Sequence, residues 1–97
     1  MATKVVWTRQ AVRGLEKVIK YLEKQWTAKE IISLNLRIDR LTKQLQNQPE
    51  LFKSSFKYKK LRKAVIDKNN YLIYKWIPAE DKIIIINFRG TRQRSVY

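Results

Sequence analysis

Residues 61–89, LRKAVIDKNNYLIYKWIPAEDKIIIINFR, decide the fold because they hold three β-strand patterns in succession. The first two, 61–66 and 71–76, are separated by Asp67-Lys68-Asn69-Asn70. Asn and Asp tolerate the backbone conformations that tight turns require. This part of the chain therefore predicts a β-hairpin.

A third strand is predicted over residues 82–89, after a turn at Pro78-Ala79-Glu80-Asp81. It contains four consecutive isoleucines, 83–86. Such a run is typical of a strand that lies in the middle of a sheet or is covered on both faces. The sheet therefore needs a layer to cover it, and the residues that precede the hairpin can supply that layer.

A short strand and a helix are predicted at the start of the chain. Residues 4–7, Lys-Val-Val-Trp, have a β-rich composition, and the hydroxyl of Thr8 is placed to cap the first turn of a helix. Apolar residues then recur at spacings of three and four, which predicts one buried helical face: Val12, Leu15, Ile19, Leu22 and Trp26.

A second helix is predicted from the capping box Thr27-Ala28-Lys29-Glu30, in which the Thr and Glu side chains satisfy backbone donors of the first turn. Its predicted apolar face consists of Ile31, Leu34, Ile38, Leu41 and Leu45. Pro49 favours a stop, because the residue before a proline avoids helical geometry. The two helices form an αα-hairpin that can bury both apolar faces on one face of the sheet. We therefore predict one α+β domain over residues 1–97, with the order β-α-α-β-β-β and a mainly antiparallel sheet.

The net charge indicates the kind of partner. The chain has 22 Lys and Arg against 8 Asp and Glu, a formal charge of +14. Solubility alone requires a charge of about 2 to 8 on a small domain. A field of this size attracts nucleic acid, the ribosome, an acidic protein or an anionic membrane surface. We therefore expect a polyanionic or acidic partner.

The missing residue types restrict the chemistry. The chain has no Cys and no His, which removes disulfides, thiol nucleophiles, imidazole metal ligands and the usual imidazole base. Any reaction would depend on Lys, Arg, Tyr or carboxylates, and no cofactor or metal is expected. The longest apolar run, 83–86, is far below the roughly 20 residues of a membrane-spanning helix. The first residues also lack the apolar segment of a secretory signal, so a cytoplasmic location without membrane contact is expected.

Basic residues gather in two stretches without acids. The first holds Lys53, Lys57, Lys59, Lys60, Arg62 and Lys63, and the second holds Lys82, Arg89, Arg92 and Arg94. If the strands at 61–66 and 82–89 share a sheet, the two stretches form a single basic surface beside its uncovered face. Phe56, Tyr58 and Tyr97 lie among these cations, as suits base stacking. The alternatives are simple solvation of the loop lysines and packing of Phe56 and Tyr58 at the edge of the core.

The order of elements and several motifs resemble the RelE/ParE toxin superfamily over nearly the whole chain. Val6-Trp7-Thr8, with Ala11, Leu15, Ile19, Tyr21 and Leu22, resembles the opening of ParE-like members. Leu61-Arg62-Lys63 and Tyr71-Leu72-Ile73-Tyr74 resemble two of the family's strands, and Phe88-Arg89-Gly90-Thr91-Arg92-Gln93 resembles its closing strand.

The resemblance implies a growth-inhibiting toxin of a type II toxin-antitoxin, plasmid-stabilising system. Its partner would be an acidic antitoxin whose disordered segment folds over the toxin and masks its charge. The Trp-Thr opening, the long helices and the Arg-Gln exit favour the ParE-like members, which act on DNA gyrase and are not known to need catalytic residues. The alternative is a RelE-like mRNA endoribonuclease that works on the ribosome.

The two activities imply different roles for the same residues. A nuclease needs a base, cations on the phosphate charge and an acid for the leaving oxygen. The Glu base and the His of some RelE-like nucleases have no obvious counterpart in this chain. For a RelE-like reaction the chain could instead offer Lys59 or Lys60 as the base, Arg62, Arg89 and Arg92 as charge stabilisers, and Tyr97 as the acid. A surface that binds nucleic acid or the antitoxin would use Lys57, Lys59, Arg62, Lys63, Arg89, Arg92 and Arg94. No small-molecule ligand is expected.

Two hypotheses from other classes remain. The charge alone is compatible with a non-toxic nucleic-acid-binding module, whose affinity would fall steeply with salt. Lys17, Lys20 and Lys24 also suggest a helix that lies on a membrane surface, although its apolar face is better used on the sheet. Growth after induction of the gene distinguishes these hypotheses from a toxin.

Overall fold

The order of secondary-structure elements agrees with the prediction. The computed structural model describes residues 3–25, 28–54 and 60–90. Its elements are β1 (Lys4–Trp7), α1 (Arg9–Gln25), α2 (Ala28–Asn47), β2 (Arg62–Asp67), β3 (Asn70–Ile77), a single 3-10 turn (Pro78–Glu80) and β4 (Lys82–Gly90). The chain is therefore an α+β fold with the predicted order β-α-α-β-β-β.

The four strands form one mixed sheet in the order β1-β4-β3-β2. β3 is antiparallel to both β2 and β4, and β1 runs parallel to the first half of β4. β4 is thus an inner strand over residues 82–85, as its isoleucines predict. Ile83 and Ile85 are fully buried in the core, whereas Ile84 and Ile86 are half-buried. The isoleucine run therefore marks a central strand, of which one face meets the helices.

The αα-hairpin covers one face of this sheet. The buried face of α2 consists of Leu34, Ile38, Leu41 and Leu45, which confirms the prediction apart from the half-buried Ile31. α2 ends at Asn47, ahead of Pro49, as expected. It begins at Ala28, next to the predicted cap Thr27, which lies outside the described residues. Within the described ranges, no helix is both long and apolar enough to cross a membrane.

The predicted apolar face of α1 is wrong by one residue at two positions. Ala11 and Val18 pack in the core together with Leu15 and Leu22. Val12 is 40% exposed, Ile19 is only half-buried, and Trp26 lies outside the described residues. Both sets have spacings of three and four, so periodicity alone cannot distinguish them. Contact with the sheet decides the orientation, since small residues let α1 approach β4 closely.

Gly14 marks the point of closest approach between α1 and β4. A Cβ atom at position 14 would collide with the backbone carbonyl oxygen of Phe88. The strand β1 pairs with β4 only as far as Ile85, and among the described residues no other strand pairs with β4 on that side. There Gly14 of α1 lies against the Phe88 carbonyl of β4. The Asn87 side-chain oxygen accepts a hydrogen bond from the Phe88 N–H at 2.9 Å.

The start of α1 is tied to β4 through Thr8, which caps the helix as predicted. The Thr8 hydroxyl accepts a hydrogen bond from the Ala11 N–H at 3.1 Å. The same oxygen lies 3.0 Å from the Ile85 carbonyl oxygen and 2.9 Å from that of Ile86, so its proton can be donated to either. This side chain therefore fixes both the first turn of α1 and its position along β4.

Candidate functional surfaces

Four of the residues predicted to form the site lie in the part of the chain that the structure describes. These are Lys60, Arg62, Lys63 and Arg89. The other predicted site residues lie outside the described ranges: Lys57, Lys59, Arg92, Arg94 and Tyr97. Of the aromatic residues expected to accompany them, Phe56 and Tyr58 also lie outside.

Arg62 lies on the face of the sheet that the helices cover. It pairs with Tyr74 across the β2–β3 ladder, and directly opposed residues of an antiparallel pair project from the same face. Tyr74 belongs to the hydrophobic core. The Arg62 Nη1 donates a hydrogen bond to the Phe52 carbonyl oxygen at 2.6 Å. The half-buried guanidinium therefore holds the segment that follows α2 against the edge of the sheet.

Lys63 and Arg89 project from the face opposite the helices. This face is not bare as predicted, because Tyr71 and Ile73 on it are 2% and 0% exposed. Tyr71 is directly opposed to Arg89 on β4 and alternates with the core residues Leu72 and Tyr74 along β3. The Lys63 Nζ lies 4.4 Å from the centroid of the Tyr71 ring, a cation–π contact. The structure thus brings Lys63 and Arg89 together around Tyr71. It separates both from Arg62, while Lys60 is exposed just before β2.

Tyr74 is fully buried where β3 passes beneath the segment that follows α2. Its hydroxyl donates a hydrogen bond to the Pro49 carbonyl oxygen at 2.7 Å. Burial raises the pKa of Tyr74 above its ordinary value, because the phenolate would lose its hydration. The backbone of Phe52 and the charge of Arg62 lower this pKa, and Glu50 raises it further, but desolvation is the largest effect. Tyr74 is therefore a neutral hydrogen-bond donor at physiological pH.

A cleft of about 560 Å³ lies between α1, α2 and the β2–β3 turn. We call it the helical cleft. Its apolar wall consists of Val18, Tyr21, Leu22 and Leu34, and Tyr21 is 50% exposed. The polar rim carries both signs of charge, including Glu30, Arg37 and Asp67. Arg37 and Asp67 form an ion pair at 3.8 Å. This cleft can accept apolar side chains as well as charged ones.

A second cleft, of about 540 Å³, lies between the first half of α1 and the end of β4. We call it the cationic cleft, because the described charged residues that line it are all basic: Arg9, Arg13, Lys17 and Arg89. The first three form a row on α1 that sequence reasoning missed. Their spacing of four residues places them on one helical face, which was a usable signal. The spacing of residues within α1 could not predict that β4 lies beside this row.

Comparison with protein families finds one match that covers almost the entire chain. Residues 5–94 match the family described as the ParE toxin of the type II toxin-antitoxin system, parDE. A comparison with curated proteins finds no match.

Several solved structures share the fold at low sequence identity. The RelBE2 toxin-antitoxin complex from Mycobacterium tuberculosis has a chain that aligns with a TM-score of 0.66 and 15% identity, covering 96% of this chain and 95% of that chain. The isolated E. coli RelE toxin aligns with a TM-score of 0.62 and 12% identity, covering 99% and 92%. HP0894 from Helicobacter pylori, a conserved hypothetical protein, aligns with a TM-score of 0.61 and 17% identity, covering 96% and 98%. At these identities the similarity establishes the fold alone.

Proposed function

Since the chain belongs to the ParE toxin family of type II toxin-antitoxin systems, we propose that it arrests bacterial growth by binding DNA gyrase rather than by cutting mRNA. The toxin class and the antitoxin partner follow from the family. The choice of gyrase is the proposed step, and it depends on how the cations are arranged.

The separation of Arg62 from Arg89 is the observation that supports this choice. Cations that stabilise the charge of a reacting phosphate must converge on it, with donors about 3 Å from its oxygens. Arg62 and Arg89 project from opposite faces of the sheet, and the Phe52 carbonyl oxygen already accepts a hydrogen bond from Arg62. The pair cannot contact one phosphate in this arrangement, whereas binding to gyrase needs no such convergence.

The same proposal includes an acidic antitoxin that masks the toxin. A disordered acidic segment that folds on binding neutralises positive charge and buries apolar side chains at the same time. The helical cleft offers that combination, because the apolar Tyr21 and Leu22 lie beside the basic Arg37. The exposed Lys63 and half-buried Arg89, on the face opposite the helices, add charge that such a segment can cover.

A pair of reconstituted assays tests the target. The full chain, prepared free of antitoxin, is added to purified gyrase with relaxed plasmid, and separately to ribosomes programmed with mRNA. We expect loss of supercoiling or accumulation of cleaved DNA in the first assay and intact mRNA in the second. Toxin mixed beforehand with the antitoxin encoded beside it is the control and should leave gyrase active. Ribosome-dependent mRNA cleavage with unaffected gyrase would establish the RelE-like alternative instead. Normal growth after induction of the toxin alone would favour a non-toxic binding module.

A further inference from the structure

We propose that the row Arg9, Arg13 and Lys17, together with Arg89, forms a binding site for the phosphodiester backbone of a nucleic acid. This goes beyond gyrase binding, because it assigns the toxin a direct contact with nucleic acid. It also places that contact on α1, away from the basic stretch at residues 53–63.

The geometry of the row suits a chain of phosphates. Successive members are four residues apart, so they recur about every 6 Å along the helix axis and project from one side of α1. All three side chains are exposed. Arg89 adds a fourth cation from the strand that forms the other wall of the cleft. A row of this kind can neutralise several phosphates of one strand and release their counterions.

The charge of the row is not cancelled by neighbours. In the described part of the chain, Arg9, Arg13 and Lys17 have no carboxylate within 4.0 Å. Glu16 lies on the same helix but does not line the cleft. By contrast, the rim of the helical cleft includes Glu30 and Asp67. A multivalent anion therefore meets less repulsion in the cationic cleft than in the helical cleft.

The lining of the cleft favours phosphates over an acidic protein segment. A segment that folds on binding must bury apolar side chains to offset its ordering entropy. Among the residues that the structure describes, the only large apolar one that lines the cationic cleft is Phe88, which is 2% exposed and lies in the core. The remaining walls are cations, the Gln10 and Asn87 amides and Gly14. Phosphate contacts need charge and hydrogen-bond donors but no apolar surface.

The test compares two variants that lose the same amount of charge. The first is Arg9→Gln/Arg13→Gln/Lys17→Gln. The matched control is Lys29→Gln/Arg40→Gln/Lys43→Gln, which removes three exposed cations from α2. Both variants reduce the formal charge from +14 to +11, since each loses three positive charges. Binding of the full chain to a fluorescently labelled duplex and to a labelled single strand is followed by anisotropy at several salt concentrations, and thermal unfolding verifies that each variant is folded.

The row variant should lose roughly ten- to hundredfold in affinity at moderate salt, and its slope of log K against log salt should fall by about 2 to 3 for the duplex. The control variant should change the slope by less than about 1. Equal losses in the two variants would show that only total charge matters and would overturn the proposal. A poly-glutamate peptide of matched charge is tested in the same way. If it binds as tightly as the nucleic acid and loses affinity equally in the row variant, the cleft would be reassigned to acidic proteins. The readout contains no gyrase, so failure here would leave the proposed target untouched.

Discussion

Arg62 and Tyr74 lie directly opposite each other on β2 and β3, and both donate hydrogen bonds to the segment that follows α2. The Arg62 guanidinium contacts the Phe52 carbonyl oxygen at 2.6 Å, and the Tyr74 hydroxyl contacts that of Pro49 at 2.7 Å. This segment leads from the end of α2 into the basic stretch that begins at Lys53. The pair therefore anchors the approach to that stretch on the rigid sheet.

Tyr74→Phe should destabilise the protein by about 1 kcal/mol, because it removes one partly buried hydrogen bond and leaves the packing of the ring unchanged. The measurement is urea unfolding. The slope of the free energy of unfolding against urea concentration should not change, and the midpoint should be lower. Tyr21→Phe removes a hydroxyl from a half-exposed ring and serves as the control, with no measurable change expected. Equal midpoints for the Tyr74 variant and the unmodified protein would contradict the assigned hydrogen bond.

The same tyrosine should make stability fall at high pH. Its pKa is raised in the folded state, mainly by burial, above the ordinary value of about 10 for tyrosine. Above about pH 10 the unfolded chain loses the phenolic proton while the folded protein keeps it. Deprotonation therefore lowers the free energy of the unfolded state relative to the folded state, and the protein becomes less stable. The loss can reach at most about 1.4 kcal/mol per pH unit and ends at the folded-state pKa. Urea midpoints between pH 8 and 11 should fall more for the unmodified protein than for Tyr74→Phe, and parallel curves would refute the shift.

Arg62→Met should also destabilise the protein, by about 1 kcal/mol, because the hydrogen bond to Phe52 is lost while the length of the side chain is kept. Lys60→Met is the matched control, since it removes an exposed cation two residues away. Thermal unfolding of both variants measures the difference. If the Arg62 variant melted like the control, Arg62 would have no anchoring role, and a loss of toxicity on its replacement would point to a direct contact with the target.

Local patterns predicted most of the fold, since the information lies within a few residues of each element. The Thr8 cap, the apolar face of α2 and the central position of β4 are examples. The orientation of α1 was not predictable in this way, because Val12 and Ala11 satisfy the same periodicity. The role of Arg62 was hidden for a related reason. A cation on a strand can face either side, and only the register that pairs Arg62 with Tyr74 decides which.

Gly14→Ala tests the contact that orients α1. In an exposed helix interior this change usually stabilises by about 1 kcal/mol, because glycine is the poorer helix former. Here the added methyl would collide with the Phe88 carbonyl oxygen, so we expect a net loss of roughly 1 to 3 kcal/mol. Lys20→Ala, at an exposed position on the same helix, should stay within about 0.5 kcal/mol of the unmodified protein. A stabilised Gly14 variant in urea unfolding would show that α1 does not approach β4 this closely.

Thr8→Val tests the cap that ties α1 to β4. The substitution keeps the shape of the side chain but removes the oxygen that accepts from the Ala11 N–H and lies within 3.0 Å of the Ile85 carbonyl oxygen. Loss of a helix cap costs about 0.5 to 2 kcal/mol. The upper half of that range is expected, since a carbonyl oxygen of β4, that of Ile85 or Ile86, loses a donor in the same step. Thr8→Ser should restore most of the stability. Thr42→Val removes an exposed hydroxyl that contacts only the Asp39 carbonyl oxygen of its own helix, so it should change the urea midpoint far less. Similar losses at positions 8 and 42 would mean that the link between α1 and β4 contributes nothing beyond ordinary helix stability.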